Sequence, residues 1–220
     1  EEGILAEEDL KTGLRAGVIK GELTPVLVCS ALENKGGDAV LAAIEALLPS
    51  PLDRPAFTGA DGAERASDPD APVACFVFKT LADPFAGQLS LLRVLSGTIS
   101  GDATLKNSRT EENERLGNLL YILGKSQTPC KEPIGPGAIV AVAKLKGTRT
   151  GDTLSDEKTP FALPMPALPP QLITYALAPK EKGEEDKVYA AMQRLLDEDI
   201  TLRLGRDEES GDILLSGMGQ

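Results

Sequence analysis

Two runs of alternating apolar residues flanking a proline- and glycine-bearing turn restrict this chain more than any other pattern in it. The first run places Ala74, Phe76 and Phe78 two apart, and the second does the same with Leu89, Leu91 and, after Arg93, Leu95. Successive side chains of a strand point to opposite faces, so this period predicts a half-buried hairpin. The turn Asp83-Pro84-Phe85-Ala86-Gly87 offers one fixed φ and one free one. Shorter runs follow over Leu116–Lys131 and Ala138–Leu145, punctuated by Gly101-Asp102, Gly135-Pro136-Gly137 and Gly151-Asp152. Many short strands with no long helical period between them predict a β-barrel or sandwich over residues 71–158.

The segments on either side read differently. Ala6–Gly17 is predicted as a helix, with Glu7, Glu8 and Asp9 at its positive end and Leu10 and Leu14 one turn apart. Pro25–Cys29 is a short continuous apolar run, the signature of a strand buried on both faces. A loop over Ser30–Gly36 precedes a second predicted helix, whose stripe is Val40, Leu41, Ile44, Leu47 and Leu48. Asp38 is its expected cap, and Pro49 and Pro51 stop it. Residues 1–52 therefore read as the last α-β-α of an open doubly wound sheet, in which ligands bind at the carboxyl ends of strands. Residues 53–70, rich in Pro, Asp, Ala and Gly, read as a linker, and residues 159–170 as a stiff proline-rich one. Residues 171–220 predict β-α-β-β. Ile173, Tyr175 and Leu177 alternate. Val188, Ala191, Met192, Leu195 and Leu196 form a helical stripe. Ile200, Leu202 and Leu204, then Ile213 and Leu215, alternate again. Asp207, Glu208 and Glu209 read as a solvated turn.

The net charge of −11 is uneven. Residues 71–158 hold 11 basic and 9 acidic groups, whereas both flanks are strongly acidic. The barrel is thus the part able to approach a polyanion without net repulsion. Arg93, Lys106, Arg109, Arg115, Lys125, Lys144, Lys146 and Arg149 are among its cations. The chain contains no histidine, which excludes a histidine-based triad, and Cys29, Cys75 and Cys130 are too scattered for a zinc site. No twenty-residue apolar span occurs. A GxxxxGK[ST] phosphate loop is also absent.

Phe78-Lys79, Asp83-Pro84-Phe85, Gly87, Arg93-Val94, Ser96-Gly97, Gly101-Asp102 and Thr150-Gly151-Asp152-Thr153-Leu154 resemble the second domain of the translational GTPases, closest to elongation factor G. Asp207–Ser210 and Gly217-Met218-Gly219 resemble the third domain of the same family. The resemblance implies a multidomain α/β + β chain: an α-β-α remnant of a P-loop GTPase domain, a translation-factor β-barrel, and a partial ferredoxin-like β-α-β-β. Ser30, Ala31 and Leu32 then stand where the family contacts the guanine base. The chain reads as an excerpt beginning inside a GTPase domain. The parent is expected to bind GTP with Mg²⁺, and this part to hold neither and to carry no catalytic or metal-binding residue. Expected partners are small-subunit ribosomal RNA and protein in the cytoplasm, with no membrane and no DNA. Arg93, Lys106, Arg109, Arg115, Lys144, Lys146 and Arg149 are the candidates to face RNA. The family usually has Pro at the position of Ile200 and Glu at that of Gln220. Those departures keep open a paralogue serving ribosome recycling or protection, and a non-enzymatic RNA- or protein-binding barrel remains a reading of another class.

Overall fold

The computed structural model describes residues 6–83, 87–179, 181 and 183–219, so the predicted turn residues Pro84, Phe85 and Ala86, and Gln220, lie outside the described residues. The chain divides into two compact units, Glu1–Pro55 and Ala56–Gln220.

In the first unit, α1 (Glu7–Ile19) and α2 (Gly37–Leu47) form as the periodicity predicts. Asp38 does not cap α2. It lies in the first turn, where its charge still complements the helix dipole, and Gly36 is the N-cap with φ +77°. A Cβ at Gly36 would come within 2.8 Å of the Val28 carbonyl oxygen, so both its conformation and the close approach require glycine. The run Pro25–Cys29 belongs to no strand, and Val26 and Val28 are 88% and 92% exposed. The buried-strand expectation fails here because no other described segment pairs with this run. Its apolar character stands, and its ladder is missing. Arg15 meets Asp53 at 2.7 Å, and Asp53 also accepts the Ser50 N–H, tying α1 to the end of the unit.

The second unit opens with a miniature hairpin, β1 (Phe57–Thr58) and β2 (Glu64–Arg65), within the stretch expected to be a linker. Two-residue strands are too short for alternation to register. Arg65 stacks over Phe161, 5.1 Å from its centroid, and donates to the carbonyls of Pro72 and Thr159. The start of the proline-rich segment is likewise docked. Phe161 is buried, its N–H donates to Ser155 Oγ, and that of Leu163 donates to Thr153 Oγ1.

The predicted long hairpin is β3 (Ala74–Asp83) and β4 (Gly87–Ser96). After it come β5 (Thr104–Asn107), β6 (Asn113–Arg115), β7 (Leu119–Leu123), β8 (Ser126–Pro129), β9 (Ile139–Ala143) and β10 (Thr153–Ser155). Their order in one sheet is β6-β5-β10-β3-β4-β9-β7-β8, and every pairing is antiparallel. Leu105 of β5 and Leu119 of β7 belong to a single buried cluster with Cys75, Val77, Leu92 and Val94. In a flat sheet those two strands would lie roughly 24 Å apart at about 4.8 Å per strand. The sheet therefore curls around its core as a barrel, helped by the Ile99–Ile134 bridge.

The phase of the central hairpin differs from the sequence reading. Cys75, Val77, Leu92 and Val94 face the barrel core, while Ala74, Leu95 and Phe76 pack outside it against Phe161. A register shift between Val77 and Lys79 leaves Phe78 38% exposed. Both faces of the hairpin are apolar because both are covered, so alternation of the larger residues marked the outer layer.

Beyond the proline-rich segment come β11 (Ile173–Leu177), α3 (Glu185–Glu198), β12 (Arg203–Arg206) and β13 (Ile213–Gly217), with sheet order β11-β13-β12. This is the predicted β-α-β-β. Val188, Met192 and Leu196, four apart, form the half-buried stripe of α3. The end of α3 rests on β3, where the Glu198 carboxylate accepts the Ala82 N–H. Asp207 closes the β12–β13 turn by accepting the N–H groups of Ser210 at 2.7 Å and Glu209 at 3.1 Å, the solvated turn expected of that acidic run.

Among the described residues of 172–219, Gly217 alone is buried, whereas the barrel buries a cluster of thirteen apolar residues. We expect amide exchange in β11, β12 and β13 to be at least roughly tenfold faster than in β3 and β4, because local stability follows buried apolar contact. Equal protection in the two sheets, measured by hydrogen–deuterium exchange, would contradict this assignment.

Candidate nucleic-acid interface

One end of the barrel is organised by a buried polar network. Asn107, at the end of β5, is fully buried. Its side-chain oxygen accepts the N–H groups of Arg109 at 2.8 Å and Thr110 at 3.2 Å, which turns the chain back toward β6. Its amide nitrogen donates to Thr148 Oγ1 at 3.2 Å and Asp152 Oδ2 at 2.9 Å. The Asp152 side chain is only 4% exposed. Arg109 grips it with a two-pronged contact, Nε to Oδ1 at 2.7 Å and Nη2 to Oδ2 at 2.9 Å, and the Arg149 N–H adds a bond of 3.0 Å. Bidentate guanidinium–carboxylate geometry is among the strongest polar contacts available to a protein.

Burial pushes the Asp152 carboxyl upward, but the hydrogen bonds from Arg109, Asn107 and the Arg149 N–H, with the charge of Arg109, outweigh it. They hold the group below its ordinary value of 3.8. Gly151, beside it, has φ +96°, a left-handed conformation that favours glycine.

This network fixes the loop 144–152. Leu145 and Thr148 are buried, while Lys144, Lys146 and Arg149 are exposed, so anchors and cations interleave along it. Of the RNA-facing candidates, the structure brings Arg109, Lys146 and Arg149 together, since Arg109 Nη2 also donates to the Gly147 carbonyl at 2.7 Å. Arg109 itself is taken up by Asp152. Lys144 stands at the far end of the loop, its N–H bonded to the Gln88 carbonyl. Arg93 is half-buried on β4 opposite Phe76 and Ile139, Lys106 is half-buried on β5, and Arg115 is ion-paired with Asp102 at 2.9 Å, so none of these three joins the loop. Asn107, Thr148 and Glu114 escaped the sequence reading. Asn107-Ser-Arg-Thr after a strand is an Asx-turn pattern, and it was the available signal for the first of them.

In the first unit, the Ser30–Leu32 loop is closed by reciprocal backbone bonds between Ser30 and Lys35, of 2.9 and 3.0 Å, and Ser30 Oγ accepts the Glu33 N–H. Leu32 is 95% exposed. Such a closed, outward-facing loop suits contact with the edge of a base. The nearest helix N-terminus, that of α2, carries Asp38, which repels phosphate, and no cluster of three metal-ligating side chains occurs among the described residues. Among those residues, no helix is long and apolar enough to cross a membrane.

An antiparallel barrel with a β-α-β-β module resting on β3 defines the class: a translation-factor barrel followed by a ferredoxin-like module. Residues 72–157 match the family model of elongation factor G domain 2, and residues 168–220 match that of elongation factor G domain III. A crystal structure of a protein from Thermus thermophilus is similar over 99% of this chain, with 30% identity and a TM-score of 0.81, and this chain spans 31% of that one. The chain belongs to the elongation factor G family of translation factors.

Because Asp152 has a lowered carboxyl pKa in the folded state, the stability it contributes is complete above its unfolded value. That contribution is lost as pH falls through 3.8 and below. Asp152→Asn should cost about 2–3 kcal/mol at pH 7, the scale of a charge-assisted bond with its partners left unpaired. The gap between the two proteins should narrow below pH 4, as read by urea denaturation across pH. A gap independent of pH would show that the carboxylate charge is not what holds the loop.

Proposed function

We propose that this chain is part of a GTP-dependent translation factor. In this reading the barrel docks on the small ribosomal subunit through loop 144–152, and the complete protein promotes movement of tRNA and mRNA in the cytoplasm. The observation that carries it is the loop itself. Lys146 and Arg149 stand exposed on a backbone held rigid by buried anchors, in the one segment of the chain with a basic balance. Preorganised cations bind a phosphate backbone with less ordering cost than flexible ones, and guanidinium adds a two-pronged fit. Lys144 flanks that pair. Arg93, Lys106 and Arg115 remain secondary candidates for the same surface, and Arg109 acts from behind it. GTP and Mg²⁺ are taken by the complete protein, and of this chain only Ser30, Ala31 and Leu32 reach the guanine base.

A second reading, a paralogue acting in ribosome recycling or protection, is favoured by one position. Ile200 replaces the usual proline just after α3, where it is half-buried beside Leu196 and Leu202 in a cleft between the barrel and the module. Lacking the fixed φ of proline, the turn that sets α3 on the barrel is less restrained.

Movement of mRNA on pre-translocation ribosomes, followed with the complete protein and GTP, distinguishes the two. Rapid advance by one codon is the expected result. GTP hydrolysis on ribosomes without movement would overturn the translocase reading in favour of the paralogue.

A further inference from the structure

Glu114 is a buried carboxylate on the edge strand β6, 5% exposed, and it forms no ion pair among the described residues. All three of its partners come from one short stretch of the cationic loop. Oε2 accepts the Lys146 N–H at 3.1 Å, and Oε1 accepts the Gly147 N–H at 2.7 Å and the Thr148 hydroxyl at 2.9 Å. The Gly147 residue is therefore held from both sides, its N–H by Glu114 and its carbonyl by Arg109. A carboxylate withdrawn from water is tolerated only when its oxygens are well satisfied, and here two backbone N–H groups and one hydroxyl of the loop satisfy them. An acid placed behind basic residues is a poor choice if attraction of a polyanion is all that matters, because its charge opposes binding.

We propose that Glu114 is a positioning residue for RNA recognition. Its carboxylate clamps the backbone of Lys146 and Gly147 and the hydroxyl of Thr148 so that Lys146 and Arg149 are presented to phosphates of small-subunit ribosomal RNA. The inference rests on the docking reading above and deepens it: the partner surface is phosphate backbone, and the geometry of recognition is set by an acid that never touches it. Glu114 acts through Lys146 and Arg149, so its contribution exists only while they are present.

The test is a double-mutant cycle, read as affinity for purified small ribosomal subunits over a salt series. Lys146→Ala with Arg149→Ala should weaken binding roughly tenfold and flatten the salt slope by about 1–2. Glu114→Ala should weaken binding by about three- to tenfold although it removes a repelling charge. That loss should vanish when it is added to the Lys146→Ala/Arg149→Ala background. Glu114→Gln keeps the shape and one acceptor and should fall between, and it serves if the alanine variant does not fold, as judged by thermal melting. Tighter binding by the Glu114 variants would make the residue a like charge only and overturn the proposal. So would no change, or a loss of the same size in both backgrounds. Unaltered binding by the Lys146/Arg149 variant would overturn the docking reading itself, and this inference with it.

Discussion

The Asp152 carboxylate is the point on which one whole end of the barrel depends. It lies just before β10, and it is bonded to the side chain that ends β5, to the arginine that follows it, and to the backbone of the loop leading back to it. Four donors on two oxygens explain why a buried charge is tolerated there and why its pKa is lowered despite burial. Neighbouring polar groups act in the same direction. Glu114 satisfies the other side of the loop, and Gly151 supplies the left-handed conformation beside Asp152. Without this network, loop 144–152 would be an exposed basic segment with no defined shape. With it, the segment is a fixed surface.

The barrel core works by a different principle, and the two are complementary. Apolar side chains from both ends of an eight-stranded sheet meet in one cluster, and this is what closes the sheet. The polar network then decides how one rim is finished. Among its described residues the β-α-β-β module buries no comparable core, and it rests on the barrel through the end of α3 and the Glu198 carboxylate, which accepts the Ala82 N–H of β3. Buried apolar contact is concentrated in the barrel.

Much of this was legible from residues alone, and the failures have physical causes. The β3–β4 hairpin was readable because apolar residues recur two apart on both sides of a turn. Its phase was not, because Phe161, far along the chain, covers the outer face and makes both faces apolar. Pro25–Cys29 was readable as apolar but not as unpaired, since a ladder depends on a partner segment rather than on the run itself. The β1–β2 hairpin was too short to show a period, and the docked stretch 161–163 was hidden by the prolines on either side of it, Pro160 and Pro164. At the candidate site, charge singled out Lys146 and Arg149 but could not separate them from Arg109 and Arg115, whose ion pairs appear only in three dimensions. Asn107 and Glu114 were passed over because an asparagine or a glutamate in a polar stretch looks like any solvated residue. Their burial is a property of the fold.

The most direct test of the account is cross-linking from the loop. A photoreactive group carried at position 146 of the complete protein bound to ribosomes should form adducts with small-subunit ribosomal RNA. The same group at position 208, on the exposed β12–β13 turn, serves as the comparison. Adducts to small-subunit RNA from position 146 and not from 208 are the predicted result. Adducts from 146 only to ribosomal protein, or equal yields from both positions, would contradict the claim that this rim of the barrel is the RNA-facing surface.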